Sequence, residues 1–569
     1  MHASMRVQAS LMLAMAMATA CAAPASQPTA ASAPAGARPV TKTINAAAMG
    51  TVVTVSTMLA VAGAQSNIPG SAELEKLVNA GLAVEQRQGQ AAPLVAQLAQ
   101  AVPTTDDGSW QVLPDGRMEM TWHLRPGVRW QDGATFSADD LVFTAAVLGD
   151  PDLPIAHDLK LGYIAGIQAP DPQTVVVDWN RPFIQADTLF SSDGTMPMPR
   201  HLLEASYQAD KAGFPQLPFW SSAFVGTGPF KIQEWVDGTR AELIADPDYV
   251  LGRPKVDQIT VEFIPDSGAL LAAVLAGTVD LTLGRNLSED EAAQVRDRWR
   301  DGSVLLVPAN PNIVTPQTVD AQPPIVTNVA FRKALMHALD RQQLAAALTA
   351  GMGAVADSPL PMGSTDDPEV ESAVVRYDYD PRAAIQAIEG LGFSRGADGI
   401  FRDERNQPLE LELRALDKGN NFPTVLSMAD YWKQVGVAID PVAIPVARQA
   451  DVEYRNTFPA LDLGGSFATT LDNLDTLRAA EIPSAANGYR GRNHGRYENE
   501  ELESLVDRYL VTIPLGDRNR VLASIVHTIT DQVVVMYLFY DVNVQLVGSR
   551  LANVRSEYFG NAEQWDVQS

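Results

Sequence analysis

Two kinds of side chain in this 569-residue sequence can do chemistry: its single thiol, and an acid set where acids are rare. Cys21 is the only cysteine. It follows Arg6, an apolar run from Leu11 to Met17, and the small residues Ala18, Thr19 and Ala20. A positive start, an apolar middle and a small-residue cleavage site make a secretory signal peptide over residues 1–20. About ten apolar residues fall short of the roughly 20 that span a bilayer. A cysteine at that cleavage point resembles a lipobox, in which the thiol is acylated before the upstream segment is removed. Ala18 stands where Leu, Val or Ile usually does, so ordinary cleavage after Ala20 is the plainer alternative. The acid is Asp541, inside an otherwise apolar pattern from Val533 to Val547. A carboxylate there wants a partner, which the cation of a bound molecule would supply. A hydrogen-bonded or outward-facing strand residue is the alternative.

Spacing argues against most other chemistry. The seven histidines include no His-Glu-x-x-His run and no i, i+4 pair, and one cysteine excludes multi-thiolate metal sites. His123, between Trp122 and Leu124, reads as a structural strand histidine. No Gly-x-Ser-x-Gly elbow surrounds any serine. Gly226-Thr227-Gly228 lacks the third glycine of a dinucleotide loop and the Lys-Ser/Thr of a phosphate loop, and predicts a tight turn before a strand. Carboxylates are abundant, but spacing assigns no acid–base pair. No catalytic residue, metal site or cofactor is therefore expected. The formal charge of −26 disfavours nucleic acid, because no basic stripe exists to displace counterions.

The elements that position these residues follow from composition and periodicity. Hydrophobic content of 46% with 19% charged residues describes a globular chain, long enough for three domains or two interleaved ones. Cys21 has no partner, so the core alone holds the fold. Residues 21–42, rich in Ala, Pro and Ser, read as a flexible tether. Thr51 to Ser56 is β-branched and predicts the first buried strand. Ser71 is placed to cap a helix with Glu73 and Glu75 in its first turn and Leu74, Leu77, Val78 and Leu82 on one face. Strands are predicted at Thr174–Trp179, Gln258–Ile264, Val279–Leu281 and Leu409–Leu413. Helices are predicted over 268–277, 425–435 and, as one piece, 331–348, with Phe331, Leu335, Ala338, Leu339 and Ala346 inward. Strands mixed with helices throughout predict an α/β fold.

The stretch Thr121-Trp122-His123-Leu124-Arg125-Pro126-Gly127-Val128-Arg129-Trp130-Gln131-Asp132-Gly133, continuing through Phe136-Ser137-Ala138-Asp139-Asp140-Leu141-Val142-Phe143, resembles a hallmark of the family-5 extracellular solute-binding proteins. These are receptors of peptide, nickel and related ABC importers. Pro126-Gly127 and Asp132-Gly133 are turn pairs, and Ser137 caps a helix. Further blocks follow in the family's order: Val225-Gly226-Thr227-Gly228-Pro229-Phe230-Lys231, Asp246-Pro247-Asp248-Tyr249, Leu275 to Leu281, Asn328 to Leu335 with Ala338-Leu339-Asp340-Arg341, and Tyr379-Asp380-Pro381. The resemblance implies a two-lobed periplasmic-binding-protein type II fold with an extra inserted domain. Lobe I would be 43–75, 222–305 and 530–569, the inserted domain 76–221, and lobe II 306–529. It implies a monomer that encloses an oligopeptide or other small solute, unaltered, and hands it to ABC permease subunits. The protein would lie outside the cytoplasm, held to a bacterial membrane through Cys21. A surface sensor or adhesion lipoprotein for a protein partner, and an exported hydrolase, are the alternatives.

Oligopeptide-binding members carry a Gly-Trp-x-x-Asp-Tyr run whose aspartate pairs with the peptide's amino terminus. The corresponding run is Gly465-Ser466-Phe467-Ala468-Thr469-Thr470, so Ser466 and Thr469 replace the tryptophan and the aspartate. A buried ammonium needs a paired charge; Asp462 and Asp472 lie near enough in sequence to substitute. The resemblance places Ser56 and Thr57 (at the end of the first strand), Thr282 and Gly284, Ser466, Phe467, Thr469 and Asp541 at the cleft. Trp220 and Trp235 either line it or fill the core.

Overall fold

A computed structural model describes residues 41–569, except 58–69, 86–93, 154, 156–158, 193, 285–286, 361–366, 465–467, 469, 556–558 and 569. Along the chain, β1 (Thr43–Met49) precedes β2 (Trp110–Val112), β3 (Met118–His123), β4 (Ile164–Asp171) and β5 (Thr174–Trp179). Then come β6 (Phe230–Val236), β7 (Arg240–Ala245), β8 (Gln258–Ile264), β9 (Leu281–Leu283) and β10 (Gly302–Pro316). Last are β11 (Glu410–Leu416), β12 (Ala438–Ile444), β13 (Leu461–Leu463) and β14 (Met536–Gly548).

Ten of these strands make one mixed sheet in the order β12-β11-β13-β10-β14-β9-β1-β8-β7-β6. It is two half-sheets joined by two long strands. β10 and β14 run antiparallel from Gly302↔Gly548, beside β9, to Val314↔Met536, beside β13. Within the halves, β1 lies parallel between β8 and β9, and β11 lies parallel between β12 and β13. Each half carries its own core. Ile44, Leu74, Phe230, Val261 and Leu281 belong to one; Val314, Phe331, Leu413, Trp432 and Phe539 belong to the other. A separate four-stranded sheet, β2-β3-β5-β4, packs with Trp122, Trp130 and Trp179 in a third core. That core also takes Leu502, Val506 and Ile525 from the late helices 500–511 and 515–531.

Several predicted elements stand where the residues put them. β5 and β8 match their predictions, and Ser137 closes a capping box with Asp140 at the start of the helix Ala138–Leu148. The Gly-Thr-Gly turn has a packing reason: a Cβ at Gly226 or Gly228 would lie 2.0 or 2.4 Å from the backbone of Val78. Thr227 Oγ1 meanwhile donates to the Ala80 carbonyl at 3.0 Å.

Other expectations need correction. The first strand is Thr43–Met49, built on Ala46, Ala47 and Ala48, and 51–57 is irregular. Three alanines serve there because the strand is sandwiched between β8 and β9 and packed on both faces, where bulk rather than propensity is limiting. Ser56 and Thr57 thus lie beyond the strand, not at its end. α1 is Ser71–Val78 with Gly70 at its N-cap, so Leu82 is outside it. The predicted helix 331–348 is two, α2 (Val329–His337) and α3 (Arg341–Leu348). Asp340 restarts the chain by accepting from Gln343 N at 2.9 Å, and the reset phase leaves Ala346 exposed.

Candidate functional site

Four of the candidate residues, Ser56, Thr57, Thr282 and Gly284, lie beside α1 and β9. Thr57 donates its backbone N–H and its hydroxyl to Glu75 Oε2, at 3.0 and 2.7 Å, and Ser56 also bonds Glu75. Glu75 is buried; burial raises its pKa, and the bonds from Thr57 and Ser56 pull it back down. Ser56, Glu75, Asn79, Met198 and Trp220 bound a narrow space beside it. Gly284 has φ +65°, and a Cβ there would lie 2.2 Å from Gly70 N and 3.1 Å from Glu73 Oε2. Glycine is needed twice, for the left-handed backbone and for the contact with α1. Thr282 is fully buried, and its hydroxyl accepts from Leu546 N at 2.9 Å, stitching β9 to β14. Trp220 belongs to the core and donates its indole N–H to Phe214 O at 2.8 Å, whereas Trp235 is half-buried against that core and donates to Asp237 Oδ1 at 2.9 Å.

Asp541 sits midway along the crossing strands. The register runs Pro308↔Val542 and then Pro311↔Tyr540, so residues 309 and 310 face Asp541 alone, a bulge between the two half-sheets. Bulges re-aim side chains and bend strands, which suits a site placed where two bodies meet. Just before Asp541, β14 grips two loops. Tyr540 donates its hydroxyl to Leu360 O, and Tyr537 to Ala468 O, both at 2.6 Å. Ala468 is buried with φ +49°, and its N–H donates to Thr476 Oγ1 at 3.1 Å. Ala468 is thereby fixed to β14. Ser466, Phe467 and Thr469 of its run, like Cys21, lie outside the described residues, as does the side chain of Asp472.

Buried polar atoms without partners collect around this ladder: Asn312 Oδ1 and Thr315 Oγ1 on β10, and both side-chain heteroatoms of Gln545 on β14. Asp462 on β13 faces Thr315 in register; its Oδ1 has no partner, and its Oδ2 is 3.9 Å from Arg455 Nη2. Burial pushes the Asp462 carboxyl up to about 7, against the opposing pull of Arg455 and Arg414. It is therefore no ready anchor for an ammonium. Sequence reasoning missed Glu75, Tyr537 and Tyr540; Gln545 carries the same signal as Asp541, a polar residue inside an apolar strand. Among the described residues no group of three or more acids, histidines or cysteines is arranged to hold a metal. No described helix is long and apolar enough to cross a membrane.

Residues 101–480 match the model of the bacterial extracellular solute-binding proteins, family 5 Middle. The chain belongs to this family. Curated relatives include a putative ABC transporter peptide-binding protein of Brucella ovis, 28% identical over 351 residues, and heme-binding protein A of Haemophilus influenzae, 27% identical over 420. The first match spans 61% of each chain; the second covers 70% of this one and 72% of the other. Among solved structures, the oligopeptide-binding protein AppA of Bacillus subtilis with a nonapeptide superposes with TM-score 0.66 at 20% identity, covering 93% and 100% of the chains. NikA of Brucella suis with Fe(III)-EDTA superposes with TM-score 0.73 at 17% identity, covering 92% and 100%. This family-5 member thus has the two-lobed periplasmic-binding-protein type II fold, and its crossing strands β10 and β14 are what join the lobes.

Proposed function

We propose that this family-5 member is the solute-binding receptor of an ABC importer, enclosing an oligopeptide or another small solute between its lobes and delivering it, chemically unaltered, to a membrane permease. The reading is supported above all by the ladder of β10 and β14. Two half-sheets with separate cores meet through two strands and a bulge, and unpartnered polar atoms line the meeting place. Such strands can hinge, and a solute touching both lobes then stabilises the closed form. The names of the relatives favour a peptide first, with heme and metal chelates as further classes.

The proposed division is lobe I at 43–75, 222–305 and 530–569, the inserted domain at 76–221 and lobe II at 306–529. Solute contact is assigned to the run with Ser466, Phe467 and Thr469 and to Asp541. Ser56, Thr57, Thr282 and Gly284 are the proposed contacts on the other side of the cleft, where they also hold α1 and β9 in place. The receptor works as a monomer outside the cytoplasm, tethered through an acylated Cys21. Native mass spectrometry of the purified protein should reveal a retained solute. Thermal denaturation with peptides, sugars and metal chelates should then find one that, at about 100 times its Kd, stabilises by roughly 2.7 kcal/mol. Recovery of a cleaved or modified solute, or no stabilisation by any class, refutes the proposal.

A further inference from the structure

Beside the two crossing strands lies a third segment. Residues 354–356 run antiparallel along β14: Ala356 N donates to Leu538 O at 3.2 Å and Tyr540 N to Ala354 O at 2.8 Å, with Val355 facing Phe539. β10 occupies the other edge of β14 at the same level, through Asn312↔Phe539 and Pro311↔Tyr540. One guanidinium fastens this arrangement to lobe II. Arg341, the first residue of α3, is buried, and its Nη1 donates to Ala356 O at 2.8 Å and to Tyr537 O at 3.1 Å. Its Nη2 donates to Tyr377 O at 3.0 Å and lies 2.8 Å from Asp357 Oδ1. The hydroxyl of Tyr540, donating to Leu360 O, secures the same segment beyond Asp357.

At its other end β14 is held by lobe I. Leu281 faces Val547, Leu546 N donates to Thr282 Oγ1 at 2.9 Å, and Gly548 N donates to Asp280 O at 2.6 Å. From Asp541 to Gln545 the register runs along β10 alone among the described strands, and opposite Asp541 it is broken by the bulge. Stiffness is therefore unequal: three segments lie abreast up to Tyr540, an interrupted pair follows, and three strands meet again at Val547. A buried ion pair is often no more stabilising than apolar packing of the same volume. What Arg341 adds is a rigid fork, whose donors reach carbonyls of three separate segments. We propose that Arg341 is a positioning residue for solute capture: by clamping 354–356 to β14 it confines bending of the crossing to Asp541, so that the lobes close along one path. This rests on the receptor reading above. Residues 536–540 then travel with lobe II, and the division at residue 530 marks where the chain enters the crossing, not where it bends.

The test follows backbone hydrogen exchange in the full chain, together with calorimetric titration of a random pentapeptide pool well below the melting temperature. Arg341→Lys keeps the charge but not the fork. It should speed exchange of the Ala356 and Tyr540 amides at least tenfold, while Leu546 and Gly548, held by lobe I, keep their wild-type rates. Its affinity for the pool should fall at least threefold. Asp357→Asn keeps the fork and loses the paired charge, so both effects should be smaller. Arg341→Met should exceed both, and the two milder variants carry the comparison if it does not fold. Faster exchange spread through the core around Leu413 and Trp432 would make Arg341 a structural residue of lobe II and overturn the assignment. Unchanged exchange at Ala356 and Tyr540 in Arg341→Lys overturns it too, as does faster exchange there with unaltered affinity; each of these leaves the receptor reading standing. A wild type that binds no pentapeptide defeats the reading as a peptide receptor, and the capture role of Arg341 with it, whatever the exchange rates.

Discussion

Asp462 stands beside the altered pocket run in the sequence, and its surroundings give it a measurable signature. Its folded carboxyl keeps a proton up to about pH 7, whereas the ordinary value is 3.8. The folded state therefore binds more protons than the unfolded one across that window, and stability falls as pH rises from about 4 through about 7. Burial raises Glu73 and Glu75 in the same direction, so they add to the slope. Asp462→Asn should flatten the decline and raise the urea midpoint at pH 8 relative to wild type, with little change at pH 5. An unaltered difference between the two pH values would mean that Asp462 is ionised and satisfied in the fold. Asp541 is legible because an acid in an apolar strand pattern is visible in one dimension, whereas Asp462 is marked only by its nearness to the altered run. Glu75 is not legible in this way, because it is an ordinary first-turn carboxylate until burial removes its water.

At the scale of elements, legibility followed the strength of local pattern. β5, β8 and β11 alternate or cluster β-branched residues, and the helix Asn421–Gln434 carries a clear apolar face; all were readable. β1 was not, because its alanines have no strand preference and are chosen by the closeness of β8, β9 and α1. A Cβ at Gly70 would lie 2.6 Å from Ala48 Cβ, which shows how little room remains. The same crowding gives a test. Gly284→Ala must place a methyl group 2.2 Å from Gly70 N while holding φ +65°, so the end of β9 and the start of α1 must separate. Backbone strain of about 1–3 kcal/mol and overpacking of similar size predict a loss of at least about 2 kcal/mol in denaturant unfolding. Solute affinity should fall with it, since α1 carries Glu75 and through it Thr57. A variant as stable as wild type would show that these two elements are not held in contact in solution.

For the whole molecule, the deciding question is what stabilises closure. A solute shifts the lobes only by as much as it prefers the closed form. The segment around β5 already meets the late helices and the chain before them, through Ile184 N to Leu510 O and Tyr163 to Arg478, contacts between segments far apart in sequence that no local motif announces. On the proposed receptor reading these contacts favour closure before any solute arrives and raise the competent fraction, and hence the apparent affinity. Arg478→Ala removes one of them and frees Asp507. Small-angle scattering should find the empty variant larger in radius of gyration than the empty wild type, with a saturating solute returning both to one compact value. Apparent affinity of the variant should fall by the same factor as its closed population, with the rate of solute capture affected more than the bound geometry. If the radius is the same in wild type and variant and insensitive to solute, then β10 and β14 are a rigid brace, and capture must proceed through loops at the rim instead of through motion of the lobes.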